Sequence, residues 1–305
     1  MTIPPDDPSG IVVPDVGPRS TTAQVIERMV ASSAQRLIAN DHVVRLGVDP
    51  EGVHQARVAT RRIRSDLRLV RSLVDSAWLE DLRRDLRWLG GALGAVRDLD
   101  VLHQRFLEHA AMVPDDLRED VARVLDRLRA RRDPAREALL SAMQDPRYER
   151  LLGALRDAAS NPRVHDHVAN ERADRTMGPL MHAPWVHLRR VCDGLDAGSP
   201  DADLHEARIR AKRVRYAAEA LAPIFGEPAH RFARRAEALQ DVLGRHQDAV
   251  VALAWLRTSA GGSGLDFVAG TLAGIEAMLR EDSRRRWPRR WRDLRLRRKA
   301  PRFWE

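Results

Sequence analysis

Within VHQARVATRRIRSDLRLVR, residues 53–71, one histidine and six arginines share nineteen positions, and Asp66 is the only acid. A guanidinium presents a planar fork of donors that matches phosphate and carboxylate oxygens, so the chemistry open to this segment is anion binding. Placement decides whether that chemistry is usable. On a helix with His54 at zero, Arg57, Arg61, Arg64, Arg68 and Arg71 fall at about 300°, 340°, 280°, 320° and 260°, one arc of about 100° that runs for about 25 Å. Ile63, Leu67, Val70 and Val74 fall between about 160° and 220°, which leaves a separate stripe for packing. A solvated charged face carries acids of opposite sign at i, i+4, and none is present; Asp66 lies at about 120°, nearly opposite the arginines. Like charges gathered in this way repel unless an anion or a facing acidic element offsets them.

The pattern returns in the second half of the chain. LHEARIRAKRVRY begins at Leu204, so that His205, Arg208, Lys212, Arg213 and Arg215 stand where His54, Arg57, Arg61, Arg62 and Arg64 stood, each 151 residues later. A second block follows each: LGGALGAVRDLDVL from Leu89 and LQDVLGRHQDAVVA from Leu239 align Leu93 with Leu243, Gly94 with Gly244 and Asp98 with Asp248, at an offset of 150. Two blocks in one order at nearly one offset indicate a duplicated half. Glu219 stands where Arg68 would recur, so the second basic stripe is the shorter and weaker one.

These residues need helices to carry them. Apolar residues recur at three and four positions, and no segment alternates as a strand would, which predicts an all-α chain. Helices are expected at about 21–40, 50–75, 78–95, 98–111, 114–131 and 134–159, then at about 179–195, 200–222, 228–244, 246–258, 264–282 and 288–299. Asp49-Pro50 and Ser199-Pro200 read as N-cap residues before a proline at the first helical position. Residues 1–19 are rich in Pro, Asp and Gly and read as a flexible arm. The remaining divisions are 20–160, 177–282 and a basic Trp/Arg-rich tail, 283–305.

Taken together the blocks resemble the CHAD family, the conserved histidine α-helical domain, whose halves carry a His-x-x-Arg-Val-x-x-(Arg/Lys)-Arg block and then a Leu-Gly block with an Asp. Here they read His54 to Arg64 with Leu93 to Val101, including Arg97 and Asp98, and His205 to Arg215 with Leu239 to Asp248. The resemblance covers about 20–282. It implies two four-helix bundles related by a pseudo-two-fold axis, with the histidine- and arginine-bearing helices lining a basic central groove or channel. It also implies binding of inorganic polyphosphate and association with polyphosphate granules. The site residues it points to are His54, Arg57, Arg61, Arg62, Arg64, Arg68 and Arg97 in the first half and His205, Arg208, Lys212, Arg213 and Arg215 in the second. Many members are fused to a CYTH domain marked by Glu-x-Glu-x-Lys; neither Lys212 nor Lys299 follows that pattern, so a stand-alone CHAD protein is expected.

Other chemistry finds little support. The chain has no glycine-rich phosphate loop, no nucleophile elbow and no paired-carboxylate signal above its 44 acids, so no catalytic residue is assigned. Cys192 is the only cysteine, which excludes an internal disulfide and predicts a buried apolar role. Neither His54 nor His205 has a second histidine three or four positions away, and no metal or other cofactor is expected. His54 and His205 read as ligand-side groups or as interhelical hydrogen-bonders. Asp98 and Asp248 read as caps of a following helix or as partners that hold an arginine in register, and Gly94 and Gly244 as points of close helix approach. The tail interleaves Trp287, Trp291, Phe303 and Trp304 with arginines, which suits either single-stranded nucleic acid or docking of the tryptophans on a bundle. With 52 Lys+Arg, net charge +8 and no apolar run long enough to span a bilayer, the expectation is a cytoplasmic polyanion-binding protein. Its rivals are RNA or single-stranded DNA as partner, and an enzyme acting on phosphoanhydrides.

Overall fold

The computed structural model describes residues 9–259, 264–295 and 303–304. Twelve α-helices are found among them: α1 Thr22–Ala39, α2 Asp41–Leu46, α3 Pro50–Leu69, α4 Ser76–His109, α5 Arg118–Gln144, α6 Pro146–Ser160, α7 Asp166–Ala169, α8 Ala173–Met177, α9 His182–Cys192, α10 Asp201–Phe225, α11 Glu227–Ser259 and α12 Asp266–Arg295. No β-strand occurs among the described residues, as expected of an all-α chain. Side-chain caps fix several starts. Thr21 and Gln24 form a reciprocal capping box on α1, Asp49 accepts from Glu51 N ahead of Pro50 on α3, and Asp75 accepts from Trp78 N on α4. Ser199 does not cap α10; the helix begins at Asp201, and the Ser199 hydroxyl turns back to Asp196. Gly226, at φ 62°, takes the left-handed turn that lets α10 stop and α11 start at once.

Four expected breaks are absent. The separate helices at 78–95 and 98–111 are one 34-residue helix, α4, because Leu89, Leu93 and Val96 are buried in one core before the expected break and Leu102 and Phe106 in a second core after it. α11 likewise runs through Gly244, and α12 runs through Pro288, with Trp287 and Trp291 buried on either side. An interior proline costs about 3 kcal/mol, and burial of two flanking tryptophans is of a size to offset it. Pro134 similarly lies inside α5, and the break falls instead at Asp145-Pro146, where Asp145 accepts from Arg147 N at 2.7 Å. The arm also differs from expectation over 9–19. Ile11 joins the core, Arg28 donates to Pro14 O at 2.7 Å and Gln35 donates to Ile11 O at 3.3 Å. Residues 1–8 of that arm, and 296–299 of the last expected helix, lie outside the described residues.

α1, α3, α4 and α6 pack as one bundle, with α5 laid along α4, and α9 to α12 pack as another. The halves meet twice. At the centre α3 packs on α10, and one hydrophobic core runs from Val25, Ile63 and Leu86 through to Leu188, Val214 and Trp287. At the far end a second core joins Leu102, Phe106 and Val121 to Trp255, Leu256 and Val268, with the Phe106 and Trp255 rings 5.6 Å apart. Arg105 closes this end with a two-pronged bond to fully buried Glu276, at 2.5 and 2.6 Å. The basic helices are thereby held in fixed register. No helix among the described residues is long and apolar enough to cross a membrane.

Candidate functional site

α3 and α10 cross at Tyr216, a buried ring that Arg61, Arg62 and Arg215 approach at 5.6, 5.3 and 5.8 Å from its centroid. The crossing uses up two of the expected site residues. Arg62 bonds Asp66 at 3.1 Å and reaches across the halves to Glu219; Arg215 bonds Glu219 at 2.6 Å and Glu237 at 2.7 Å. Asp66 is almost fully buried, and burial pushes its carboxyl up to about 6 against the pull of Arg62. Arg62 therefore ties the two halves through Glu219, Arg215 braces that acid within the second half, and neither is available as a free cation. Glu219 is the acid that commits both.

Beside the crossing the structure brings together Arg57 and Arg61 from α3 with Arg208 and Lys212 from α10. Burial, followed by the charges of Arg208 and Arg61, pushes the Lys212 amine down to about 7. Burial lowers Arg208 as well; Asp248 pulls the other way, and Arg61 and Arg57 add to the lowering. Among the described residues two acids pair with this group: Asp98, 3.1 Å from Arg57, and Asp248, 3.8 Å from Arg208. Both lie in mid-helix, so neither caps anything; each holds an arginine at corresponding positions of the two halves. Gly94 serves the same contact, since a Cβ there would collide with the Arg57 guanidinium. It admits a side chain rather than a neighbouring backbone. The Nε atoms of Arg61 and Arg208 are buried and have no acceptor among the described residues, which leaves both guanidinium groups incompletely paired.

The two histidines differ. His205 Nδ1 is 2.7 Å from Gln247 Oε1, an interhelical hydrogen bond between α10 and α11. His54 makes no side-chain hydrogen bond among the described residues; burial and then the charge of Arg97 hold its pKa below the usual value. Arg97 occupies the place in the first half that Gln247 occupies in the second.

Further along α3 a cavity of about 440 Å³ opens between the halves, lined by Arg68, Arg71, Arg83, Arg210 and Arg213 on one side and by Leu69, Leu180 and Pro184 on another. Burial and the mutual charges of these groups lower the pKa of Arg68 and of Arg213. Burial, then the charges of Arg87, Arg68 and Arg83, does the same to Arg64, which does not itself line the cavity. Arg83 and Arg210 are partly offset by Glu80 and by Glu206, the latter at 2.5 Å. The expected site residues thus separate into three groups: a central cluster with His54, Arg57, Arg61, Arg97, Arg208 and Lys212; a cavity group with Arg64, Arg68 and Arg213; and the pair Arg62 and Arg215. His205 stands apart, on Gln247. Sequence reasoning missed Arg83, Arg87, Arg210 and His187. Arg210 and Arg213 lie about 140° and 80° round α10 from His205, off the stripe, and only the packing of α9 brings them to the cavity.

The tail docks. Trp287, Trp291 and Trp304 are buried, and the Trp185 ring lies 5.8 Å from Trp291 and 6.2 Å from Trp304. Cys192 is buried, and its thiol is pushed up to about 12 by that burial. Among the described residues no three His, Cys, Asp or Glu side chains are disposed to hold a metal ion.

The description CHAD domain matches residues 28–257. Two uncharacterized proteins of Mycobacterium tuberculosis, from strains CDC 1551 / Oshkosh and ATCC 25618 / H37Rv, are each 34% identical over 278 residues, 86% of this chain and 51% of theirs. The chain spans about half the length of these relatives. Among solved structures, PptA from Streptomyces chartreusis superposes with a TM-score of 0.74 at 23% identity, covering 90% of this chain and 100% of that one. The CHAD domain from the plant Ricinus communis superposes with a TM-score of 0.74 at 25% identity, covering 95% and 97%.

Proposed function

The chain belongs to the CHAD family, and from that premise we propose that it binds inorganic polyphosphate through the cations of α3 and α10, without catalysing a reaction on it. The observation that carries the reading is the central cluster. Arg57, Arg61, Arg208 and Lys212 face one another across the two halves with two acids between them, and two of the arginines keep a buried, unpaired Nε. A linear polyanion relieves this repulsion along its length, whereas a single phosphate relieves it at one point. The chain lies along α3, from the His54 end past Arg57 and Arg61 to Arg64 and Arg68. Affinity comes from charge and from guanidinium forks, with displacement of counterions.

Nucleic acid is the weaker partner. Its bases find no platform in the tail, where Trp287, Trp291 and Trp304 are buried in the protein. Competition at equal phosphate concentration tests the proposal: polyphosphate is expected to displace labelled single-stranded RNA from the protein, and the reverse preference overturns it. Chain length after incubation with Mg²⁺ tests the absence of catalysis, and shortening of the polymer would contradict it.

A further inference from the structure

On the outside of the second half, α11 and α12 enclose a basic trough that holds none of the expected site residues. Arg231, Arg235, Ala238, Val242 and Arg245 recur along α11 at alternating intervals of four and three, which is one face of a helix. Opposite them, antiparallel α12 presents Arg285, Arg286, Arg289 and Arg290. Two hollows of about 510 and about 480 Å³ lie between these rows and share Arg289 and Arg290, so they form one trough. From Arg231 to Arg245 it extends for about 21 Å. Its floor is Ala238 and Val242, and the one acid in its lining, Asp293, stands at one end.

The trough is not part of the site already described. With Gly244 at zero on α11, Gln247 and Asp248 of the central site fall at about 300° and 40°, while Arg231, Arg235, Val242 and Arg245 fall between about 100° and 180°, the opposite side of the helix. Its charges are not strongly offset either. Arg245 and Arg289 have no carboxylate within ion-pair distance among the described residues. Arg231 and Arg234 share a single acid, Glu227, at 3.5 and 2.9 Å, and Arg285, Arg286 and Arg290 have only exposed partners on their own helix, at 3.6, 2.9 and 4.0 Å. Exposed pairs of this kind are worth little.

The geometry points to a second polyphosphate-binding site in this trough, which makes the protein bivalent for the polymer. The inference rests on the function proposed above. Its length and double hollow suit a linear polyanion rather than one phosphate group. Its lining of arginine, alanine, valine and a single aspartate has no ring to stack on a base and no amide to read one, so backbone charge is all it recognises. Because the two sites face opposite sides of α11, a long chain held in one is free to enter the other site of a neighbouring molecule, and polymer and protein cross-link.

The test is calorimetric titration with a short, size-fractionated polyphosphate, too short for one chain to occupy both sites. The wild-type protein is expected to bind two chains. Arg245→Glu/Arg289→Glu/Arg290→Glu, all at exposed positions, is expected to bind one, as is a central variant, Arg57→Glu/Arg61→Glu. Replacing the three trough arginines with Gln gives a milder variant whose fold is checked by circular dichroism, and it too is expected to lose one site. Reversal of three equally exposed arginines on α5, Arg118, Arg123 and Arg129, controls for net charge and is expected to leave both sites. One wild-type site that survives trough reversal overturns the second site and leaves the central one standing. One wild-type site lost only on trough reversal keeps the trough and overturns the central site. Equal losses in the trough and α5 variants overturn the trough.

Discussion

Arg68 of α3 and Glu219 of α10 stand at equivalent places, fourteen residues after His54 and His205. In the first half Arg68 lines the cavity among other arginines, and α3 keeps its row of cations. In the second, Glu219 draws in Arg215 from its own helix and Arg62 from the other, so the same spacing becomes an interface. A parallel divergence separates the histidines, where Arg97 repels the His54 imidazolium and Gln247 binds His205. One difference in each block leaves α3 with a row of cations and makes α10 a joint, with Arg208 and Lys212 beside it. Equivalent positions therefore do not imply equivalent roles.

The largest effect that distinguishes the helices is on binding. Arg57→Glu/Arg61→Glu/Arg64→Glu is expected to abolish polyphosphate binding in a titration while far-UV circular dichroism stays helical. Arg215→Glu alone is expected to weaken binding little, because that guanidinium is already committed to Glu219 and Glu237. A loss from Arg215→Glu as severe as that of the triple variant would erase the distinction drawn between α3 and α10.

Stability is expected to show the reverse order. Arg62→Ala leaves Asp66 buried without its partner and Glu219 without one of two, a loss of about 3 kcal/mol in denaturant unfolding. Arg68→Ala removes repulsion and is expected to leave stability unchanged or slightly raised. Equal destabilisation by the two would place Arg68 in the joint as well.

The third effect is on pH dependence. Lys212 titrates near about 7, so it is neutral at pH 8 and cationic at pH 6. A bound polyanion favours the charged amine, and affinity for long chains is expected to rise as pH falls from 8 to 6, by at most about tenfold for one coupled proton. Burial and the charge of Arg97 hold His54 below the usual histidine value and so work against a contribution from it. Lys212→Arg is expected to flatten the profile and His54→Gln to leave it intact; the opposite pattern would return the pH dependence to the histidine. In the unliganded protein the sign is reversed. A lysine depressed in the folded state makes stability rise with pH between about 7 and the usual lysine range.

The smallest effect concerns His205. Its bond to Gln247 is expected to be worth about 1 kcal/mol, lost in His205→Ala and not in His54→Ala. Thermal melting of the two variants side by side measures it.

Much of this was legible in the residues themselves. Periodicity locates the helices, Asp49-Pro50 marks the start of α3, and the two blocks name the residues that meet at the centre. Their spacing also names Asp98 and Asp248, though it suggests caps. In the structure α4 and α11 do not break there, because the helix face on either side stays buried. Pro134 and Pro288 mislead for the same reason: a local breaker yields to packing on both flanks. Arg62 and Arg215 each had an acid four residues on, Asp66 and Glu219, that the sequence already offered; only the contacts Arg62 to Glu219 and Arg215 to Glu237, between helices, were hidden in it. The arginines of α11 escaped notice because they form a surface only beside those of α12, and a helical wheel shows one helix at a time.

The central claim is that the α3 stripe, together with its partners on α10, neutralises several phosphates at once. Equilibrium titration with long-chain polyphosphate over a series of salt concentrations tests it most directly, because log K falls with log salt by roughly 0.7 per phosphate neutralised if the single-strand nucleic-acid value transfers. The wild type is expected to give a steep straight line, and Arg57→Ala/Arg61→Ala/Arg64→Ala a line flatter by about 2. A variant slope equal to that of the wild type would contradict the claim and place the polymer elsewhere on the molecule.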